Sequence, residues 1–160
     1  MSHETETEAM RITREIAAPA DRVYEAWVDP EMLIRWIGPE RYIATRADVD
    51  PRVGGGADIR GIKEDGTAGI FNWDFVEMVP NERLVLSFAF ADREEEPDAH
   101  RSLLTLEFRE QAPDRTELTL VHERLEAGSP QDAAGVTTGW GQVLGRLVTY
   151  LESGTGRGDS

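Results

Sequence analysis

The sequence predicts an α+β domain in which a curved antiparallel sheet of about six to seven strands wraps one long C-terminal helix. Between residues 43 and 124, apolar residues recur at every second position, which is the period of a strand, and short turns separate the segments. Turns of hairpin length require antiparallel pairing. A sheet with one apolar face needs a cover, and only residues 130–151 form a helical pattern long enough to supply it.

The chain begins with a polar, acidic stretch before the first regular element. Residues 1–9 are predicted to form a disordered tail, as are residues 154–160, so that a single domain spans residues 10–153. One domain is the expectation for 160 residues. In residues 10–17 isoleucine alternates with charged residues, which predicts a first strand.

Two short helices are predicted after the first strand. Pro19 opens the first of them, whose apolar side includes Trp27. Asp29 and Pro30 begin the second, because aspartate caps a helix and proline fits its first turn. This second helix should cover residues 30–36, and together the two helices lead the chain into the sheet.

Six further strands are predicted over residues 43–50, 57–63, 67–79, 83–91, 101–110 and 116–124. The segments between them are turns, including an Asp-Gly turn at residues 65–66 that is typical of a hairpin. Gly54, Gly55 and Gly56 form another turn, since no phosphate-loop spacing and no helix follow them.

The C-terminal helix is predicted over residues 130–151, with Ser129 as its cap and Pro130 in its first turn. Its apolar face consists of residues three and four positions apart, namely Val136, Trp140, Val143, Leu144, Leu147, Val148 and Leu151. The truncation of this helix should expose the apolar face of the sheet.

Glycine is unusually frequent inside this helix, at positions 135, 139, 141 and 145. Each interior glycine should cost about 1 kcal/mol relative to alanine. Two interpretations are open. The glycines allow tight packing on the sheet, or they leave room for a ligand beneath a helix that roofs a cavity. Trp140 is notable because Gly139 and Gly141 flank it.

Charge and composition exclude several classes of function. The net charge of −14 disfavours nucleic acids and anionic membranes as partners, because both repel an acidic surface. The absence of cysteine excludes disulfides, thiol catalysis and thiolate metal sites. No apolar run approaches the ~20 residues of a membrane span. A cytoplasmic location is the simplest expectation.

The three histidines do not have the spacing of metal ligands, so neither a metal nor a cofactor is predicted. His3 lies in the tail. His122 shares its strand side with Leu118 and Leu120, so it should point toward the helix, and His100 is in phase with the neighbouring strand. Either the last two histidines are half exposed at strand ends, or they are polar groups at one end of an apolar pocket.

Other catalytic arrangements find little support. Asp74 and Glu77 lie on opposite faces of one strand, so they cannot act as an acid–base pair unless a bulge intervenes. No Gly-x-Ser-x-Gly sequence marks a nucleophilic serine. The binding hypothesis is therefore preferred over catalysis, although whether a reaction is catalysed is left open.

The chain resembles the activator of heat-shock protein 90 ATPase family, within the START-like (SRPBCC, helix-grip) superfamily. The entry motif of that family is similar to AAPADRVYEAWVDPEMLIRWIGP at residues 17–39. Four further segments are similar to parts of that family. VDPRVGGGADIRG is similar to its strand–turn–strand, and EDGTAGIFNWDFVEMVPNERLVLSF is similar to its hairpin. TELTLVHERL is similar to its last strand, and GWGQVLGRLVTYLE is similar to its C-terminal helix. The resemblance covers nearly the whole chain and implies a helix-grip fold.

The resemblance implies less about function, because one scaffold hosts many sites. Members of the superfamily include lipid carriers, hormone receptors, aromatase/cyclases and small single-domain bacterial proteins, and this chain resembles the last kind. Ile37 stands where relatives tend to have a bulky aromatic residue, and Gly56 and Ala57 stand where they tend to have larger ones. These departures imply a reshaped cavity, so no relative's ligand is carried over.

Three functional hypotheses follow. The first is a module that binds a small apolar or aromatic molecule between sheet and helix. The second is a cyclase- or dehydratase-type enzyme with His122 as acid or base. The third is a protein that stimulates a chaperone ATPase, a role that the resemblance ties to relatives with an additional N-terminal domain. A homodimer is left open. The candidate cavity residues are Trp36, Trp73, Phe75, Phe88, Leu104, Leu106, Leu120, His122, Gly139, Trp140 and Leu144.

Overall fold

The computed structural model describes residues 7–38, 42–91, 101–126 and 133–153. The elements in these parts of the chain are β1 (Thr7–Ile16), α1 (Ala20–Glu25), α2 (Pro30–Trp36), β2 (Ile43–Val49), β3 (Gly56–Ile62), β4 (Ala68–Val79), β5 (Arg83–Ala91), β6 (Ser102–Ala112), β7 (Arg115–Glu126) and α3 (Ala133–Ser153).

The strands form one antiparallel sheet in the order β1-β7-β6-β5-β4-β3-β2. From β2 to β7 each strand pairs with the next one in the chain, as expected for turns of hairpin length. β1 joins the sheet beside β7. The predicted α+β fold, with two short helices after the first strand and a long helix at the end, is confirmed.

The structure shifts some element boundaries. β1 begins at Thr7, three residues before the predicted start of the domain. β7 ends at Glu126, two residues after the predicted end of that strand. The predicted cap of the last helix, Ser129, lies outside the described residues, as do His3 and His100.

The two short helices have the predicted capping chemistry and cover part of the sheet. The side chain of Asp29 accepts hydrogen bonds from the backbone N–H groups of Glu31 at 2.8 Å and Met32 at 3.4 Å. α1 packs on β6 and α2 packs on β2, so α3 shares the cover of the sheet with them. Trp27, just after α1, is completely buried.

A β-bulge in β7 alters which side chains face the interior. Arg124 has a φ of 61°, and the pairing of β1 with β7 shifts by one residue there. Leu125 is therefore buried, although simple alternation after His122 would have placed Arg124 inside. A second shift occurs in β4 between Phe75 and Glu77.

A bulge in β4 was the irregularity that would have allowed Asp74 and Glu77 to act as an acid–base pair. The structure has this bulge, but the two side chains do not form such a pair. Both are exposed. Asp74 lies 3.5 Å from the guanidinium of Arg101, and Glu77 lies 3.5 Å from that of Arg83. Both carboxylates therefore belong to the outer surface of the sheet, where exposed ion pairs contribute little.

Side-chain hydrogen bonds stabilise the hairpin between β3 and β4. The carboxylate of Asp65 accepts from the backbone N–H of Thr67 at 2.9 Å and from its hydroxyl at 2.5 Å. These hydrogen bonds favour the charged form, so they hold the pKa of Asp65 below its ordinary value. The predicted Asp-Gly turn is thus held by aspartate as well as by the positive φ of Gly66.

A tyrosine that the sequence analysis did not single out packs on a pair of glycines. Gly61 and Gly69 are opposite each other in β3 and β4. The ring of Tyr42 lies over both, and its hydroxyl donates to the carbonyl of Gly69 at 2.7 Å. A Cβ atom on Gly61 would lie 2.4 Å from the carbonyl oxygen of Ile43 and 2.5 Å from the Tyr42 hydroxyl. Only glycine fits this position.

α3 lies along β1 and meets α2. At its start, the backbone N–H of Ala133 donates to Glu8 at 2.8 Å, and near its end Glu152 accepts from the backbone N–H of Ala17 at 2.9 Å. Of the predicted apolar face, Trp140, Val143, Leu144, Leu147 and Leu151 are buried, and Tyr150 joins them. Val136 and Val148 are only partly buried. No helix in the described ranges is long and apolar enough to cross a membrane.

Candidate functional site

The inner face of the sheet carries a row of side chains on four neighbouring strands. Trp73 of β4 is opposite Phe88 of β5, and Phe88 is opposite Ser102 of β6. On β7, His122 pairs with Leu104, one step along from Ser102. All of these side chains are buried beneath the helices, so alternation along the strands is sufficient to bring them together.

His122 connects the sheet to α3 through hydrogen bonds at both ring nitrogens. The indole Nε1–H of Trp140 donates to Nδ1 of His122 at 3.0 Å. Nε2 of the same ring lies 2.5 Å from the hydroxyl of Ser102, and this hydroxyl donates to the carbonyl of Phe88 at 3.3 Å. His122 is only 1% exposed, so these polar contacts replace its hydration.

The direction of these bonds determines the state of the imidazole. An indole N–H donates and cannot accept, so Nδ1 of His122 must offer a lone pair to Trp140. The proton of the neutral ring then lies on Nε2 and is donated to Ser102. The hydroxyl of Ser102 donates its own hydrogen bond to the Phe88 carbonyl, so each member of the chain is satisfied.

This arrangement opposes the use of Ser102 as a nucleophile. In a serine–histidine hydrolase, the ring nitrogen beside the serine must accept the serine proton, and an acceptor must hold the other nitrogen. Here the nitrogen beside Ser102 carries the proton, and the donor Trp140 occupies the other nitrogen. It also weighs against acid–base catalysis by His122, because both ring nitrogens are engaged.

Aromatic rings surround this network and form what we call the aromatic cluster: Trp27, Trp73, Phe88, His122 and Trp140. Ring centroids of Phe88 lie 6.0 Å from Trp73, 5.2 Å from His122 and 5.9 Å from Trp140. Trp27 joins from the other side, 6.0 Å from Trp140. The cluster therefore spans the sheet, α3 and the turn that follows α1.

The four tryptophan N–H groups differ in their hydrogen bonding. Trp140 donates to His122, and Trp36 donates to the carbonyl of Ala26 at 3.0 Å. The indole nitrogens of Trp27 and Trp73 are fully buried, and among the described residues they have no hydrogen-bond partner. A buried donor without a partner costs about 1–3 kcal/mol, so native proteins rarely retain one without a reason.

The structure separates the candidate residues into two groups. Trp73, Phe88, His122 and Trp140 belong to the aromatic cluster. The other buried candidates lie in the same hydrophobic core, and they are Trp36, Phe75, Leu104, Leu106, Leu120 and Leu144. Trp36 packs edge-on against Trp27 at 4.6 Å, which places it behind the cluster.

Sequence reasoning missed two members of the site. Trp27 was assigned only to the apolar side of a short helix, and Ser102 was not singled out. Alternation gave a usable signal for Ser102, because a serine among inward leucines must find a buried partner. No local signal joins Trp27 to Trp140, since the two residues are far apart in the chain.

The glycines of α3 face open space. A Cβ atom added to Gly139, Gly141 or Gly145 would meet nothing within 4 Å outside its own stretch of helix. The tight-packing interpretation is therefore wrong at these three positions. Gly139 and Gly141 are half-buried, whereas Gly145 is exposed, so the first two adjoin sheltered space and Gly145 does not.

Gly56 departs from the family pattern, and the departure was expected to reshape the cavity. The structure gives a different reason for the glycine. A Cβ atom there would lie 2.4 Å from the backbone oxygen of Trp73. Close approach of β3 and β4 requires the glycine, so Gly56 does not enlarge a cavity. Ala57, its neighbour, is buried and opposite Trp73.

A curved antiparallel sheet closed by one long C-terminal helix, with a polar network inside, defines a helix-grip domain of the START-like class. A family model described as "Activator of Hsp90 ATPase homolog 1-like protein" matches residues 17–152. The chain therefore belongs to this family. A sequence comparison with curated proteins found no match.

Solved structures of bacterial proteins share the fold along their whole length. Protein CV1439 from Chromobacterium violaceum has 26% identity and a TM-score of 0.77, covering 91% of this chain and 98% of its own. Protein Mll3558 from Rhizobium loti has 27% identity and a TM-score of 0.73, covering 93% and 100%. Protein Ms6760 from Mycobacterium smegmatis has 26% identity and a TM-score of 0.76, covering 95% of each chain.

Proposed function

We propose that this domain binds a small apolar or aromatic molecule between the inner face of the sheet and α3. The observation that carries the proposal is the open, half-sheltered space beside Gly139, next to the large ring of Trp140. A helix that has no side chain at this position leaves room at the aromatic cluster. Apolar walls with a few placed polar groups are the usual composition of a ligand pocket.

Helical geometry indicates where that space opens. Gly139 lies four residues before Val143 and eleven before Tyr150, so the three share one flank of α3. The ring of Tyr150 meets the guanidinium of Arg22 in α1 at 5.9 Å. The flank that includes Gly139 therefore faces the short helices, and Trp140 beside it contacts Trp27 just after α1.

The polar network supports the same proposal. Ser102, His122 and Trp140 hold one another in a single arrangement. A rigid polar edge of this kind keeps the rings of the aromatic cluster in place for a ligand that enters it. Binding requires only this edge and the space, and no reacting group.

Ligand-induced stabilisation tests the proposal. We expect that a panel of fatty acids, sterols and aromatic polyketides includes molecules that raise the melting temperature. A ligand present at a hundredfold excess over its Kd stabilises the fold by about 2.7 kcal/mol, which corresponds to several degrees. Differential scanning calorimetry of the purified protein with each compound measures this shift.

Gly139→Leu and Gly145→Leu provide a matched pair for the same measurement. Both changes replace a helix glycine that faces open space, so both should raise intrinsic helix propensity. Leucine at position 139 fills the sheltered space and should abolish the ligand-induced shift, whereas leucine at the exposed position 145 should preserve it. Equal shifts in both variants, or no shift in the parent protein with any compound, would refute the proposed site.

A further inference from the structure

We infer that the ligand is a neutral molecule with hydrogen-bond acceptor oxygens, such as a ketone, quinone or ester, which accept from the indole N–H groups of Trp27 and Trp73. The inference rests on the proposed function and assigns the chemistry of the same site. It starts from the two buried indole nitrogens that have no partner among the described residues.

The contrast among the four tryptophans makes these donors informative. The fold provides acceptors for Trp36 and Trp140, namely the Ala26 carbonyl and His122. It provides none for Trp27 and Trp73 within the described residues, although both rings are completely buried. The fold satisfies two indole donors and leaves the other two without an acceptor. We infer that a bound ligand supplies the acceptors for these two.

Both donors belong to the aromatic cluster but come from different elements. Trp27 reaches the cluster through Trp140, at 6.0 Å, from the turn after α1. Trp73 reaches it through Phe88, also at 6.0 Å, from β4. A molecule that accepts from both indoles would link the short helices to the sheet.

The two indole donors and their surroundings also exclude other classes of ligand. An indole N–H donates only, so ammonium and other donor groups gain nothing from it. The buried polar residues of the described chain are Ser102, Thr116, Thr119 and His122, which include no arginine or lysine. His122 is held neutral by Trp140. A carboxylate would lose its hydration without a counter-charge, so neutral carbonyl compounds should bind better than fatty acids.

Three probes with one carbon skeleton test the inference: 1,4-naphthoquinone, naphthalene and 2-naphthoate. Isothermal titration calorimetry on the full-length protein should give the quinone a Kd at least tenfold lower than that of naphthalene, with 2-naphthoate weakest. The chain has no cysteine, so the quinone has no thiol to alkylate. Proton–nitrogen NMR of the indoles should show the Trp27 and Trp73 resonances shifting with quinone.

The variant Trp73→Phe keeps a ring at the position and removes its donor. It should weaken the quinone about tenfold and leave the affinity for naphthalene unchanged. Trp36→Phe is the control, because its donor is already bonded to Ala26, and it should change neither. Equal affinities for quinone and naphthalene in the parent protein would overturn the acceptor chemistry while leaving the binding site intact. Failure of all three probes to bind would overturn the acceptor chemistry, and the binding site itself would fall only if the ligand panel also gave no stabilisation.

Discussion

Removal of α3 should abolish cooperative folding. A chain that ends at residue 128 loses the helix that buries Trp140, Leu144 and Leu147, while β1 keeps the apolar side chains that the helix covered. Burial of apolar area contributes about 25 cal/mol per Å², and large buried side chains supply about 1.5–3 kcal/mol each. Several such losses together exceed the net stability of a domain, about 5–15 kcal/mol. Calorimetry should show no cooperative transition.

A point substitution on α3 tests the same claim without shortening the chain. Leu147 is completely buried, so Leu147→Asp places a charge in the core and should reduce the free energy of unfolding by about 4 kcal/mol or more. Thr149→Asp, on the exposed side of the same helix, is the control and should change it by less than about 0.5 kcal/mol. A truncated chain that still melts cooperatively would contradict the architecture.

Alanine at Gly61 should also destabilise the domain strongly. The added Cβ would lie 2.4 Å from the carbonyl oxygen of Ile43 and 2.5 Å from the hydroxyl of Tyr42. The backbone must move to relieve the contact with Ile43. The Tyr42 ring must leave its place on Gly69 to relieve the contact with its hydroxyl. Overpacking of this kind costs about 1–3 kcal/mol, and loss of the Tyr42 hydrogen bond adds about 1 kcal/mol.

Gly145→Ala is the matched comparison for Gly61→Ala. Position 145 is exposed and open, so the same atom added to the helix should stabilise it by up to about 1 kcal/mol through helix propensity. Urea titration of both variants against the parent protein measures the two free energies of unfolding. Effects of the same sign would show that the glycine pair under Tyr42 does not constrain β3.

The elements with strong local chemistry were predicted closely. The Asp29-Pro30 pair predicted the bounds of α2, and alternation predicted β5 at residues 83–91. Alternation also predicted that His122 faces the helix, because the bulge in β7 comes only after it. In these stretches capping and the two-residue period depend on neighbours in the chain, so a single sequence contains the information.

The features that were missed depend on contacts between distant residues. Tyr42 over Gly61 and Gly69 involves three different segments, and no local pattern marks it. The bulge at Arg124 overrides alternation for a reason that lies in its pairing with β1. Likewise, sequence could place Ser102, His122 and Trp140 on inward faces. It could not predict the direction of the hydrogen bonds that join them, and this direction determines the imidazole tautomer.

A crystal of the protein pressurised with xenon tests most directly whether the space between sheet and α3 accepts an apolar molecule. Xenon enters apolar cavities that exclude water, and its electron density marks them without any assumption about the natural ligand. We expect a xenon atom in contact with Trp140, on the flank of α3 that includes Gly139, and no xenon there in Gly139→Leu. A pressurised crystal with no xenon between the inner face of the sheet and α3 would contradict the proposed site.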